Sequence, residues 1–374
     1  MRILCRVLFA LLLSLSLACA QKPGAKNVIL FLADAGGVAT VNAASLHGYG
    51  EPLKLYIQGW PNLALSDTST ASNWVSDSAA GMTAIVTGVK THNGIISQGP
   101  DAVRGKKDGR ALKTILEYAE ERGLSTGVVT NVGAADATPA ACYAHANDRR
   151  KWGEIILQVF TPRFGDGVDV LIGAGRARIY EGVAELDRNL DVVAQTHKRP
   201  IHASLRDVPA GNLRPIVLMD DTVDLSAAAK LALGILSRNE KGYFLMIEGD
   251  VHTDDPQRGL DRMVMFDKVI REVASMVDLN ETLLLFTADH SFELRVAGGR
   301  RGVPVLEGLE EWKKTHSLKE EVVIPALRVG HSHTGEEVPT MAVGPGADRV
   351  RGYVPNTELF HVMMKAYGWT PDSR

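Results

Sequence analysis

Along this chain, continuous apolar runs alternate with stretches in which apolar residues recur every three or four positions. The runs at 27–33 (NVILFLA), 126–131 (TGVVTN), 169–172 (DVLI), 243–247 (YFLMI) and 282–287 (TLLLFT) read as buried strands. Residues 83–89, 258–276 and 356–367 read as helices. Buried strands joined through helical crossovers predict an α/β fold, with a largely parallel central sheet and helices on both faces. No internal repeat and no Pro/Gly/Ser-rich linker interrupts the pattern. One domain is therefore expected, with a polar, irregular insertion around 298–330.

The N-terminus departs from this pattern. Arg2 and Arg6 precede the apolar run 7–17, and Ala18-Cys19-Ala20 supplies the small-x-small motif of a signal peptidase site before Gln21. Residues 1–20 are expected to be a cleaved secretory signal, and 21–374 the single domain of a periplasmic or secreted protein. Lipid attachment at Cys19 is the alternative, disfavoured because Ser16 stands where a lipobox prefers a larger aliphatic residue. The run is shorter than the ~20 residues a spanning helix needs, so no membrane span is expected. Cleavage removes Cys5 and Cys19 and leaves Cys142 without an intramolecular partner. A net charge of -3 argues against nucleic acid as the main partner.

Candidate chemistry gathers where the strands end. NVILFLAD closes on Asp34; YFLMIEGDVHTDD runs into Glu248, Asp250, His252, Asp254 and Asp255; TLLLFTADH closes on Asp289-His290. Sites in open α/β sheets form at the carboxyl ends of strands, where the loops converge. Any one of these acids alone reads as a helix N-cap. Together, and with His333 in GHSHTGEE, they offer the mixed oxygen and nitrogen donors that zinc favours. Ser78, in VSDSAAGMTAIVTG, falls at a helix start, and Ala79-Ala80-Gly81 leaves room for a close approach to the backbone. No G-x-S-x-G elbow supplies a histidine base, so activation of that serine would fall to a metal. Gly173-Ala174-Gly175 lacks the third glycine of a dinucleotide loop, Arg178 standing in its place, and argues against a Rossmann cofactor.

The segments FLADAGG, VSDSAAGMTAIVTGVKTHNG, DATPAACYAHANDR, GYFLMIEGD, LLLFTADHS and SHTGEE resemble, in order and context, those of the alkaline phosphatases. These are phosphomonoesterases with two zinc ions and one magnesium ion. The likeness runs from about residue 27 to 367. It implies an alkaline phosphatase-like fold, small phosphate monoesters as substrates and, as is common in the family, a homodimer. It also implies roles: Ser78 as the phosphorylated nucleophile and Arg149 as the phosphate clamp, with Arg150 as a solvated neighbour. Asp34 would bridge the second zinc and magnesium, Asp289 and His290 would complete that zinc, and His333 would belong to the first. Thr138 and Glu248 would complete the magnesium site, with Asp136 nearby.

The chain departs from the family at EGDVHTDD, where the loop is shortened and the usual acid and histidine spacing of the first zinc is broken. Asp250 and His252 are the expected ligands, because alternation in an extended segment puts them on the same side as Glu248. Asp254 is the rival ligand, otherwise a cap before Pro256. Alternatives to the monoesterase are a superfamily phosphodiesterase or sulfatase, or a non-catalytic phosphate- or metal-binding relative. No Cys-x-Pro-x-Arg sulfatase signature is present.

Overall fold

The computed structural model describes residues 24–220 and 222–372. The expected leader at 1–20 lies outside them. A ten-stranded sheet runs in the order β13-β2-β12-β8-β1-β7-β3-β4-β6-β5. In chain order its strands are β1 (Asn27–Asp34), β2 (Asn62–Asp67), β3 (Ser125–Gly133), β4 (Val170–Ala174), β5 (Ile201–His202), β6 (Ile216–Leu218), β7 (Tyr243–Asp250) and β8 (Thr282–Thr287). Those named β12 (Val338–Val343) and β13 (Gly352–Pro355) complete it. Every pairing is parallel except those of β12 with β2 and β8.

Strand β1 shows why the fold forms. Its side chains alternate between two faces, and both faces are covered. Val28, Leu30 and Leu32 join the core beneath helices Ser78–Thr87, Ala137–Tyr143 and Glu358–Ala366. Ile29, Phe31 and Ala33 join the opposite core, beneath helices Val38–Tyr49, Leu225–Leu236 and Pro256–Ser275. There Phe31 meets Phe266 edge to face at 6.4 Å. A strand buried on both sides has no polar face to show, so its sequence is a continuous apolar run.

The five expected strands and three expected helices all form, with ends shifted by a few residues. The larger shift is at helix Ser78–Thr87, which begins five residues before the expected 83. The charged stretch around 298–330 is more ordered than its composition suggests. It lies within a second, antiparallel sheet of β9 (Ser291–Val296), β10 (Val322–Val323) and β11 (Leu327–Thr334), in the order β10-β11-β9. Leu294, Trp312, Leu327 and Val329 anchor it to the core around Phe31. Because β9 starts directly after Asp289-His290, β11 returns His333 to the end of β8.

Candidate metal and phosphate site

Strands β8, β1, β7 and β3 are neighbours and parallel, so their carboxyl ends share one edge of the sheet. Asp34 and Asp250 are partners in register at that edge, and Thr130 is in register with Glu248. Ser78 opens its helix after the N-cap Asp77, whose carboxylate accepts from Ala80 N at 3.1 Å. The helix can come this close because of Gly81: a Cβ there would lie 2.4 Å from the carbonyl oxygen of Asp289. Ser78 Oγ consequently sits 3.5 Å from Asp34 Oδ2 and 3.4 Å from His290 Nε2.

Three imidazoles converge beside it. Each has its Nδ1 turned outward onto an oxygen: His252 to Asp250 Oδ1 at 2.7 Å, His290 to Ser291 O at 3.0 Å, and His333 to Ser76 O at 3.0 Å. A neutral ring that donates from Nδ1 leaves the lone pair of Nε2 free. Those of His252 and His333 face each other at 3.5 Å. Two acceptors at that distance need a proton or a cation between them. Two ligands on one tetrahedral zinc at ~2.05 Å stand about 3.3 Å apart, so the spacing suits a shared ion. Burial opposes charge on His252, but Asp34 and Asp250 outweigh it and hold the ring up at about 9. Burial and the neighbouring His290 push His333 down to about 4.

The carboxylates are crowded and short of partners. Asp34, Glu248 and Asp289 are all buried; Glu248 Oε1 and Asp289 Oδ2 accept no hydrogen bond, and Asp34 Oδ1 has His290 Nε2 beside it at 3.1 Å. Burial and then the Asp34 charge push Asp289 up to about 6 and Glu248 well above the usual carboxylate range. Burial acts the same way on Asp34, but His252 and His290 outweigh it and hold that group well below its usual value. Unpaired buried carboxylates are costly, and a bound cation removes the cost. Two sets of donors lie close enough for one ion each: His252, His290 and His333, and Asp34, Asp289 and His290.

Arg149 faces this cluster. Its guanidinium is held by Asp77 at 3.3 Å and Asp136 at 3.0 Å, the acids one residue before Ser78 and two before Thr138. Arg150 points to solvent and pairs with Asp148 at 2.8 Å. Thr138 is buried in the first turn of helix Ala137–Tyr143, which Asp136 caps.

The residue model of the alkaline phosphatases matches residues 25–195 and 219–324 of this chain. The chain belongs to the alkaline phosphatase family. It is 28% identical to alkaline phosphatase 4 of Drosophila melanogaster, over 91% of this chain and 76% of that one. It is 27% identical to the alkaline phosphatase of Escherichia coli K12, over 93% and 87%. Among solved structures, the alkaline phosphatase of the Antarctic bacterium TAB5 superposes with a TM-score of 0.76 at 25% identity, covering 94% of this chain and all of the other. A histidine-to-aspartate variant of that enzyme has magnesium bound in its M3 site. His333 lies beyond the residues that the family model matches, and its place rests on the geometry together with the resemblance of SHTGEE.

Of the residues singled out from sequence, the structure brings together Asp34, Ser78, His252, Asp289, His290 and His333. It sets Glu248 against Asp34, with Thr130 Oγ1 donating to Glu248 Oε2 at 2.5 Å. Asp250 is turned away from the ion-sized gaps, onto His252 and Arg262. Asp254 makes a two-pronged pair with Arg258 at 2.9 and 2.8 Å. The expected cap falls instead to Asp255, which accepts from Gln257 N and Arg258 N. Thr130, Arg262 and Ser76 were missed. Thr130 could have been found from the register of β3 with β7; nothing in the spacing pointed to Arg262 or Ser76.

Proposed function

We propose that this chain is an exported, metal-dependent phosphomonoesterase that hydrolyses phosphate monoesters through a phosphoserine at Ser78. The observation that carries the reading is the position of Ser78 Oγ. It lies at a helix N-terminus, within 3.5 Å of both the buried Asp34 carboxylate and the His290 imidazole, with Arg149 held beside it on Asp77. Export rests on the N-terminal sequence. The family supports two zinc ions and one magnesium ion, one catalytic unit over 21–374 and a homodimer.

The donors present suit those cations. His252 and His333 would hold the first zinc; Asp34, Ser78, Asp289 and His290 the second; Asp34, Thr138 and Glu248 the magnesium. When bound, the ions supply positive charge that lowers the pKa of an attacking oxygen and stabilises a departing one. The protein's own groups do the rest. Ser78 Oγ forms the bond to phosphorus while the ester oxygen leaves in line, and Arg149 holds two of the equatorial oxygens. The amides at the start of helix Ser78–Thr87 favour the added negative charge. Water then displaces the serine oxygen, releasing inorganic phosphate and restoring the alcohol.

Turnover of p-nitrophenyl phosphate against bis-p-nitrophenyl phosphate tests the substrate class, with the monoester expected to be strongly preferred. Ser78→Ala should lose covalent incorporation of labelled phosphate and reduce turnover by orders of magnitude while keeping most of its metal. Preference for the diester, or labelling that survives in Ser78→Ala, would sink the reading.

A further inference from the structure

The shortened loop after β7 leaves five residues, 251–255, between Asp250 and the start of helix Pro256–Ser275. Within it, Asp250 is fully engaged. Oδ1 accepts from both the backbone N of His252, at 3.2 Å, and its Nδ1, at 2.7 Å. Oδ2 accepts from Arg262 Nη1, on the second turn of the following helix. The backbone is fixed as well: Asp250 N donates to Asn131 Oδ1 at 2.9 Å, and Val251 N donates to Asp34 O at 3.0 Å. The carboxylate therefore has both oxygens on partners and sits behind the His252 ring, on the side opposite to the Nε2 that faces His333.

From this geometry we infer that Asp250 is not a ligand of the first metal but the positioning residue for His252, with Arg262 as its counterion. The inference rests on the metal-site reading above and revises it for one residue. In place of the acid and two histidines that the family resemblance implies, this chain offers the two imidazoles of His252 and His333. An outer carboxylate fixes one of them. Such a carboxylate holds the ring plane, keeps the proton on Nδ1 and raises the basicity of Nε2; losing it costs about 10–100-fold in metal affinity. Arg262 does two things in turn. It neutralises Asp250, and it holds the carboxylate where rotation toward the metal would break an ion pair. The physical origin is the loop length: five residues bring His252 near His333 only if the chain turns sharply, and the Asp250 side chain makes that turn by binding the residue two positions on.

The test uses the full chain stripped of metal and titrated with zinc chloride against a competing chromophoric chelator, with zinc K-edge absorption of the loaded proteins. Asp250→Asn keeps an acceptor for Nδ1, so it should bind the same number of zinc ions as wild type. Its first-site affinity should be about 10-fold weaker, with an unchanged first coordination shell. Asp250→Ala should weaken that site by up to about 100-fold, and Asn should rescue most of the loss. Arg262→Gln, on the exposed side of the pair, should shift affinity in the same direction and by less. His252→Ala should lose one zinc per chain. If Asp250→Asn also loses one zinc per chain, or its absorption spectrum loses an oxygen scatterer, Asp250 is a ligand and the inference fails while the metal site stands. If His252→Ala binds zinc as wild type does, the site itself is misassigned and both fall.

Discussion

Arg149 and Arg150 are adjacent in the chain and opposite in circumstance. The first is clamped between Asp77 and Asp136 beside Ser78, while the second reaches into solvent on Asp148. A planar guanidinium fixed at two points can meet two phosphate oxygens without further ordering. Arg149→Ala should therefore lower kcat/KM by at least about 100-fold, a loss near 3 kcal/mol of transition-state stabilisation. It should also weaken inhibition by phosphate. Arg150→Ala should change either by less than about twofold, because an exposed pair contributes little. Steady-state kinetics with phosphate as inhibitor checks both, and equal effects would undo the assignment. Single residues were legible in sequence where an acid or histidine closed a buried strand, as at Asp34 and Asp289-His290. They were not legible where a role depends on what arrives from elsewhere. Asp250 reads as a ligand from its spacing, which carries no sign of the Arg262 that pairs with one of its oxygens, and Asp254 reads as a cap although Arg258 takes it and Asp255 caps instead.

Helix Ser78–Thr87 is an element whose placement decides the site. All of its residues are buried, and Met82, large for its position, fills the core under it. The small residues in its first turn announced a close approach, and Gly81 is where it occurs, against the Asp289 carbonyl. Gly81→Ala improves helix propensity by about 1 kcal/mol. The added methyl must nevertheless displace backbone, a cost of about 1–3 kcal/mol that outweighs the gain. Urea unfolding of the metal-free variant should show lower stability, and turnover should fall because Ser78 and Asp289 move apart together. An unchanged midpoint with unchanged turnover would mean the contact is not as tight as described. The apolar periodicity of this helix registers only from 83, since it needs a full turn, whereas Asp77-Ser78 already marks its start. The second sheet was hidden for another reason: its strands are partly exposed and separated by a charged stretch, so they carry little apolar signal.

At the scale of the molecule, the donors are drawn from both sheets: Asp34 from the large one, His252 from the loop that leaves it after β7, and His333 from the small one. An ion held between them binds only the folded arrangement. Its removal should lower the melting temperature by several degrees, since a ligand at 1,000 times its dissociation constant contributes about 4 kcal/mol. Calorimetry with and without EDTA, followed by zinc and magnesium restoration, measures this; a melting point indifferent to chelation would argue against structural coupling of the ions. Among the described residues no helix is long and apolar enough to cross a membrane. The order of the donors along the chain has one more consequence. Asp34 closes the first strand and His333 stands on the eleventh, so a ribosome has finished most of the protein before the site can close. Newly made chains thus pass through a stage in which the acids of β1 and β7 exist without their last imidazole. An ion that needs donors from both sheets would then be bound only after β11 has arrived.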